Sequence, residues 1–349
     1  MNYSNTAIFA PPAGGGGAFL LDEVGVSAQT AVSFRKLSST YSGPCIEVRR
    51  LSDNTTQDIG FDANGVLDEV AVSSFCGSSV GTIATWYDQS NNGDTINFTK
   101  ADYNTPIVAS EPIIYYNEGS GASITRNAGG NISAYTREPG DPNKLGLRWF
   151  YNITSLNPTL SKFTTTNILQ YNAYNENGIH FGGKEPGYTQ GTYKSLVQGI
   201  NQPGIRTSNV SDYYAFLIQP IQANRTEPFH ITTHYNTGGG DLGSKVWFGT
   251  YLNAVSSITA QFNASFPLDW DGSSKEFTFT WNAGDGNLAN PFSNYVLGAF
   301  SNKYGNSNVL YPNVAYSEHI MWDLPEGTTL DATQAEALQS NINTFYSLS

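Results

Sequence analysis

Short runs of apolar and aromatic residues, separated by glycine-, asparagine- and proline-rich turns, fill most of the chain. In EFTFTW, residues 276–281, phenylalanine alternates with threonine. This alternation is typical of a β-strand that buries one face. Comparable runs are IVASEPIIYY, LGLRWFYNI, YYAFLIQPI, FHITTHY, KVWFGTYL, ITAQFNASF and YVLGAF. Many strands without intervening helices predict an all-β protein built as a sandwich of antiparallel sheets.

Two segments near the start of the chain have the three- and four-residue spacing of helices instead. The first runs from Ser27, a candidate N-cap, to Tyr41. Its apolar positions are Ala31, Phe34, Leu37 and Tyr41. The second follows the turn DANG, and its inward positions are Leu67, Val70, Ala71 and Phe75. Between them, GPCIEVRRLSDNTTQDIGF predicts two strands joined by a turn at Ser-Asp-Asn.

A peripheral helix is also predicted at the C-terminal end. Asp331 and Gln334 have the spacing of a capping box just before it. The apolar positions that share one face of this helix are Ala335, Leu338, Ile342 and Phe345. We therefore expect the helix to lie on the sandwich along one buried stripe.

The first 17 residues differ in composition from the rest. The segment IFAPP precedes four glycines, which form a flexible joint. We expect residues 1–17 to be an arm and residues 18–349 to be a single sandwich domain. The arm either docks on a neighbouring molecule or ends as a frayed terminus. The candidate docking residues are Ile8, Phe9, Pro11 and Pro12.

Composition restricts the classes of function. The net charge of −12 and pI of about 4.7 argue against nucleic acid, which requires a basic face. No apolar run reaches the roughly 18 residues of a membrane helix, and the N-terminus lacks the regions of a secretory signal. Cys45 and Cys76 are expected to be free buried thiols. No cofactor, nucleic-acid partner or membrane partner is predicted.

The segment TIATWYDQSNNGD ends a buried apolar run with an aromatic pair and a carboxylate. Asp88 is either a catalytic carboxylate or a structural anion that holds the turn and pairs with Arg49 or Arg50. A glycosidase needs two carboxylates about 5–9.5 Å apart, and no second one accompanies Asp88 in its motif, which favours the structural role. Trp86 and Tyr87 are then expected to pack between the sheet and the first helix.

Other candidate sites carry less weight. His230 and His234 lie four residues apart on a predicted strand, about 13 Å, which is too far for one zinc ion. The segment DWDGSSKE offers Asp269 and Asp271 but lacks the spacing of a calcium loop, so an acidic turn is favoured. No metal site is predicted. Aromatic residues suited either to sugar stacking or to an interface are Tyr171, Tyr174, Tyr188 and Trp270.

Several segments together resemble a known module. FRKLSSTYSGPCIEVRRLSDNTTQDIGF, LDEVAVSSFCG and TIATWYDQSNNGD follow one another as in the catalytic module of fungal-type α-L-arabinofuranosidase B. The same series, and the closing YSEHIMWDL and TQAEALQSNINTFYSL, resemble phage virion proteins. The resemblance implies a concanavalin A-like antiparallel β-sandwich (jelly roll). Its structural motif would comprise Arg49, Arg50, Asp53, Asp58, Trp86, Tyr87 and Asp88.

The sequence departs from the arabinofuranosidases in two respects. Those enzymes are secreted and disulfide-linked, whereas no signal is found here and CGSSVG supplies no second cysteine. Their catalytic Glu and Asp also have no matching motif between residues 110 and 310. We therefore predict a non-enzymatic virion structural protein of a tailed phage, which would be a capsid decoration, head-fibre or tail protein.

On this hypothesis the protein is made in the host bacterial cytoplasm and lies at the virion surface. Its arm would contact other virion proteins, the chain would form a homo-oligomer, and the sandwich would bind surface glycans weakly through many copies. The alternatives are a glycoside hydrolase of the α-L-arabinofuranosidase type and a bacterial surface lectin. Paired carboxylates in a cleft would indicate the enzyme, and an aromatic-lined concavity the lectin.

Overall fold

The structure of the protein is a computed structural model. It describes residues 19–93, 95–98, 111–117, 121–135, 162–171, 228–236, 314–324 and 330–348, together with the backbone of strands at 149–151, 179–184, 195–199, 203–206, 213–215, 245–252, 268–269, 276–282 and 294–297. The expected boundary at residue 17 lies outside these ranges, so the arm and the single domain stay predictions.

The described residues form an antiparallel β-fold with three helices. The helices are α1 (Leu20–Val24), α2 (Glu69–Cys76) and α3 (Ala332–Tyr346). The strands are β1 (Ala28–Ser33), β2 (Ile46–Arg50), β3 (Thr55–Ile59), β4 (Gly81–Trp86), β5 (Ile96–Asn97), β6 (Ile113–Asn117), β7 (Ala122–Ile124), β8 (Ala134–Tyr135), β9 (Trp149–Tyr151), β10 (Lys162–Tyr171), β11 (Ile179–Lys184), β12 (Ser195–Gly199), β13 (Pro203–Arg206), β14 (Tyr213–Ala215), β15 (Phe229–Asn236), β16 (Lys245–Leu252), β17 (Leu268–Asp269), β18 (Glu276–Asn282), β19 (Asn294–Leu297) and β20 (Val314–Trp322).

Two sheets organise these strands. Within the described part, the larger sheet has 14 strands and follows the path β17-β18-β16-β15-β10-β20-β8-β6-β4-β2-β3. Strand β1 pairs with β20, β5 with β4 and β7 with β6. The smaller sheet has six strands in the order β14-β13-β12-β11-β19-β9. The predicted fold class is confirmed: the chain is an all-β, concanavalin A-like antiparallel β-sandwich with a C-terminal helix.

The helix predicted from Ser27 to Tyr41 is wrong. This stretch contains strand β1, which pairs antiparallel with β20, followed by an irregular segment. Five of the six residues in β1 are buried, because both faces of the strand are covered. A strand buried on both faces has no alternation of apolar and polar residues, so the spacing of Ala31, Phe34 and Leu37 resembled a helix.

The hairpin of β2 and β3 and the turn DANG are confirmed, whereas α2 is shifted from its predicted position. The helix begins at Glu69, and the Asp68 side chain caps it by accepting from Ala71 N at 2.9 Å. Val72 and Cys76 are its buried residues. Val70 was predicted to face inward but is 74% exposed. It precedes the buried Val72 by two residues, and two residues turn a helix by about 200°, so Val70 points away from the buried side.

The C-terminal helix α3 has the predicted capping box. Asp331 accepts from Gln334 N at 2.9 Å, and the Gln334 side chain accepts from Asp331 N at 2.9 Å. Leu338 and Ile342 are buried against α1 and the sheet, and each burial contributes about 1.5–3 kcal/mol. In the described part of the chain, no helix has the length and hydropathy needed to cross a membrane.

At Gly81, the first residue of β4, neighbouring atoms leave no room for a Cβ atom. A Cβ on Gly81 would lie 2.6 Å from Cys76 Sγ and 3.1 Å from Tyr115 Cβ. We expect Gly81→Ala to lower the free energy of unfolding by about 1–3 kcal/mol through overpacking. Gly60→Ala is the matched control, since nothing lies within 4 Å of its Cβ position. Urea denaturation of both variants checks this, and equal stability of the two would contradict it.

Candidate functional site

The turn after β4 is built around the carboxylate of Asp88. Its Oδ1 accepts from Ala31 N at 2.8 Å and from Ser90 N at 2.9 Å. Its Oδ2 accepts from Ser90 Oγ at 2.6 Å and from Gly93 N at 3.1 Å. Asp88 is only 5% exposed. Asp88 therefore closes its own turn and ties that turn to the backbone of β1.

The side chain of Gln89 adds further hydrogen bonds to the segment that contains and follows β1. This role of Gln89 was not predicted from the sequence. Its side-chain Oε1 accepts from Leu37 N at 2.8 Å. Its Nε2 donates to Ser33 O at 3.2 Å and to Arg35 O at 3.0 Å. These bonds satisfy backbone groups of a buried segment that leaves the sheet after β1. The only sequence signal for this role is its position in the motif W-Y-D-Q-S.

The two aromatic residues before Asp88 have separate surroundings. Trp86 is fully buried and stacks on Phe34, with ring centroids 4.6 Å apart. The prediction that both pack against a first helix is wrong, because Phe34 follows a strand. The Tyr87 hydroxyl donates to Asp58 Oδ1 at 2.7 Å. Burial and this bond to a carboxylate raise the pKa of Tyr87 well above its usual value.

The two arginines of the motif contact different carboxylates. Arg49 Nε donates to both oxygens of Glu111, at 2.9 and 3.0 Å, and Thr82 Oγ1 donates to the same carboxylate at 2.6 Å. Glu111 is buried, and the motif gave no signal for it. Arg50 contacts Asp53 through Nη2 at 2.6 Å.

The Arg50–Asp53 pair belongs to the hairpin turn at the surface. Hydrogen bonds from Arg50 and Thr55 hold the pKa of Asp53 far below its usual range. Arg50 Nη1 also donates to Phe75 O at 2.8 Å, which connects the hairpin to α2. Both arginines thus support the scaffold with partners other than the predicted Asp88.

A second buried network joins β1, β20 and α3. Arg35 Nε donates to Glu318 Oε2 at 2.8 Å, and Nη2 donates to Oε1 at 3.1 Å. Ser33 Oγ and Tyr346 OH donate to the same carboxylate at 2.8 and 3.0 Å. Arg35 Nη1 donates to Asn341 Oδ1 at 2.7 Å. Burial opposes the charge of Arg35, but Glu318 and Tyr346 together outweigh it and raise the pKa of the guanidinium.

Glu47 and Asp58 are neighbouring carboxylates on the polar side of the hairpin. They lie opposite each other in the register of β2 and β3. Thr85 Oγ1 donates to Glu47 Oε2 at 2.9 Å, as Tyr87 does to Asp58. Asp58 is exposed, and β3 is the last strand of the sheet. The pair therefore lacks the enclosed environment in which a glycosidase acid works.

The remaining candidates are a metal site, the two cysteines, and several side chains that the structure does not describe. Among the described side chains, no three His, Cys, Asp or Glu residues form a group that could hold a metal ion. Cys45 and Cys76 are free and buried, as predicted, and burial raises the pKa of Cys76 to about 11. The candidate side chains that lie outside the described residues are Ile8, Phe9, Pro11, Pro12, Tyr171, Tyr174, Tyr188, His234, Asp269, Trp270 and Asp271.

The fold is a concanavalin A-like β-sandwich, and its W-Y-D-Q-S and V-R-R segments hydrogen-bond to neighbouring strands, turns and α2. A family model described as the catalytic domain of α-L-arabinofuranosidase B matches residues 24–131 of the chain. α-L-Arabinofuranosidase B of Emericella nidulans is 43% identical over 63 residues, which are 18% of this chain and 12% of that protein. Probable α-L-arabinofuranosidase B of Aspergillus fumigatus is 44% identical over 61 residues, 17% of this chain and 12% of that protein.

Solved structures of arabinofuranosidases share the fold over most of the chain. A GH54 α-L-arabinofuranosidase soaked with a cyclic sulfate inhibitor gives a TM-score of 0.58 at 15% identity, covering 94% of this chain and 64% of that one. An arabinofuranosidase complexed with arabinofuranosyl-α-1,2-xylobiose gives 0.54 at 15% identity, covering 91% and 64%. The chain thus spans less than two thirds of each of these structures.

These comparisons correct the functional prediction. The prediction of a tailed-phage virion protein, whether decoration, head fibre or tail protein, is wrong, because the family model and both relatives are arabinofuranosidases. The virion-surface location, with synthesis in a bacterial host, is contradicted by the same fungal relatives. Oligomerisation, contacts of the arm and the expected lack of nucleic-acid or membrane partners stay predictions.

Proposed function

We propose that the chain is a glycoside hydrolase of the α-L-arabinofuranosidase type, which cleaves α-L-arabinofuranosyl linkages in glycans. The observation that carries this proposal is the match of residues 24–131 to the catalytic domain of that family. The concanavalin A-like fold supports it by supplying the same scaffold over 94% of the chain.

The described carboxylates of the matched segment have structural tasks. Asp88 accepts four hydrogen bonds from its own turn and β1, and Glu111 is bound by Arg49 and Thr82. Glu318, in β20, is bound by Arg35, Ser33 and Tyr346. A carboxylate whose oxygens accept hydrogen bonds from the protein in this way orients the scaffold.

The proposal therefore places the reacting pair among the acidic residues between 136 and 313, whose side chains lie outside the described part of the chain. One carboxylic acid would protonate the leaving oxygen. The other would attack the sugar or activate water, at separations of about 5–5.5 Å and 6.5–9.5 Å respectively. The eleven candidates between residues 136 and 313 are Glu138, Asp141, Glu176, Glu185, Asp212, Glu227, Asp241, Asp269, Asp271, Glu276 and Asp285.

Hydrolysis of 4-nitrophenyl α-L-arabinofuranoside by the purified protein tests this function. We expect release of nitrophenol above background, and no release from the corresponding β-D-glucoside. Changing each of the eleven acids to its amide should identify two positions at which kcat falls by about 10²–10⁴-fold while the Tm is unchanged. Glu336→Gln is the control, because Glu336 is exposed on α3.

Two results would overturn the proposal in whole or in part. One is wild-type protein that releases no nitrophenol at high enzyme concentration. The other is activity that persists in all eleven amide variants, which would overturn the placement of the reacting pair but keep the hydrolase. Binding of arabinose-containing oligosaccharides without turnover would assign the chain to the lectin alternative instead.

A further inference from the structure

Three asparagines of the chain are followed directly by glycine, at residues 64–65, 92–93 and 177–178. Because glycine has no side chain, its backbone nitrogen can approach the amide carbon of the preceding asparagine closely. That nitrogen can attack the amide and release ammonia without an enzyme. The first two pairs lie in described turns, whereas residues 177–178 lie outside the described residues. The two described pairs can therefore be compared by what holds their reacting atoms.

The first pair, Asn64–Gly65, lies in the turn DANG between β3 and α2. Gly65 N, the attacking atom, donates to Asp62 O at 3.0 Å. Asn64 Nδ2 donates to Asp62 Oδ2 at 3.1 Å, and Asn64 N donates to Asp62 Oδ1 at 2.9 Å. Asp62 and Asn64 are both exposed. The peptide group that carries Gly65 N can therefore leave its acceptor without separating any strand from the sheet.

Other bonds keep the DANG turn in place while this peptide group moves. Lys36 N donates to Gly65 O at 2.7 Å, and Asp62 N donates to Val66 O at 2.6 Å. Neither bond uses Gly65 N or the amide of Asn64. The opening that the attack requires is thus confined to residues 62–65.

The second pair, Asn92–Gly93, is held by the Asp88 turn and by β1. Gly93 N donates to Asp88 Oδ2 at 3.1 Å, and a bond to a buried carboxylate is stronger than one to a carbonyl group. Asn92 Nδ2 donates to Ala28 O at 2.7 Å. Ala28 is buried in β1, 64 residues earlier in the chain. Attack by Gly93 N therefore requires the turn to separate from the sheet, which is a much rarer opening.

We propose that Asn64 is a site of spontaneous deamidation, and that the Asp88 turn protects Asn92 from the same reaction. Both asparagines are exposed, so exposure alone would give them similar rates. The difference comes from the hydrogen bonds that must break before the glycine nitrogen can attack. This inference is independent of the proposed function.

The reaction consumes one water molecule and releases one ammonia. Gly65 N loses its proton to hydroxide and bonds to Asn64 Cγ. The Cγ–Nδ2 bond breaks, and the leaving nitrogen takes a proton from water, which regenerates hydroxide. Water then opens the cyclic imide. Opening at Cγ leaves aspartate, and opening at the backbone carbonyl leaves isoaspartate, in which the chain continues through Cγ.

Either product changes the charge and the bonding of the DANG turn. The amide donor that now lies 3.1 Å from Asp62 Oδ2 is lost. The new carboxylate makes the net charge of −12 more negative by one. Two carboxylates then lie in one short turn, where like charges repel each other.

Incubation of the intact folded protein in mildly alkaline buffer tests this site. Peptide mass spectrometry over several weeks measures the deamidated fraction at each asparagine, and a methyltransferase specific for isoaspartate measures that product. We expect Asn64 to deamidate at least about tenfold faster than Asn92, because the opening that it requires is local. In concentrated urea the two rates should be similar, since both asparagines precede glycine in an unfolded chain.

Two variants serve as matched controls. Asn64→Gln keeps the amide but would have to close a larger ring, so deamidation at residue 64 should stop. Asp88→Asn weakens the bond to Gly93 N and should raise the rate at Asn92 while leaving the rate at Asn64 unchanged. An unchanged rate at Asn92 in this variant would overturn the protection.

Equal rates at Asn64 and Asn92 in the folded wild type would overturn the proposal, as would a faster rate at Asn92. A tenfold difference that persists in urea would assign the rates to the preceding residues, Ala63 and Asn91, and would overturn the structural cause. A difference that is present in the folded protein and absent in urea supports it.

Discussion

Replacing Glu318 by glutamine should lower the free energy of unfolding by about 3–5 kcal/mol. The change leaves Arg35 charged in the core without the carboxylate of Glu318. Side-chain exposures of 7% for Arg35 and 0% for Glu318 mean that water cannot replace the lost carboxylate. Ser33 and Tyr346 would also lose a charged acceptor. Urea denaturation at neutral pH measures the change.

Two further variants show whether the buried charge is the cause. Replacing both partners, Arg35→Met with Glu318→Leu, should recover most of the lost stability, because an apolar pair carries no desolvation penalty. Asp53→Asn breaks the exposed pair with Arg50 and should have a much smaller effect. Equal losses in Glu318→Gln and Asp53→Asn would contradict the interpretation.

Alanine at Asp88 should lower the free energy of unfolding by about 3–5 kcal/mol, since it removes four hydrogen bonds from one buried carboxylate. The backbone N–H groups of Ala31 and Gly93 would lose their acceptor, and the turn would separate from β1. Asp88→Asn keeps one acceptor oxygen and should lose about half as much. Thermal unfolding of the two variants measures the difference.

The same variants distinguish a structural Asp88 from a catalytic one. With a structural role, residual activity on the nitrophenyl arabinofuranoside should follow the fraction of folded protein. Unchanged thermal stability together with complete loss of hydrolysis would make Asp88 a catalytic residue and overturn its structural assignment.

Features set by neighbouring residues could be predicted from the sequence. The hairpin of β2 and β3 was found because a turn separates two alternating runs. The capping box of α3 was found because its two partners are three residues apart. Strand β1 was missed because its position depends on β20, almost 300 residues later, and local spacing contains no information on that partner.

The same limit applies to the charged networks. Arg49 and Arg50 were recognised from their motif, but Glu111 and Glu318 were not. Arg49 and Glu111 are 62 residues apart, and Arg35 and Glu318 are 283 residues apart. Asp88 was correctly linked to its own turn, while its bond to Ala31 N, 57 residues earlier, required the sheet. Contacts between distant strands follow from the topology, which periodicity does not specify.

The pairing of β1 with β20 sets the order in which the chain can fold. During synthesis, the segment that carries β1 and the Asp88 turn emerges long before the strand that covers β1 is made. Until then β1 has an unpaired edge that can associate with other chains. Closing a contact of such long range is slow. A fragment cut at the boundaries 24–131 of the family match would keep that exposed edge permanently, and it should aggregate where the full chain folds.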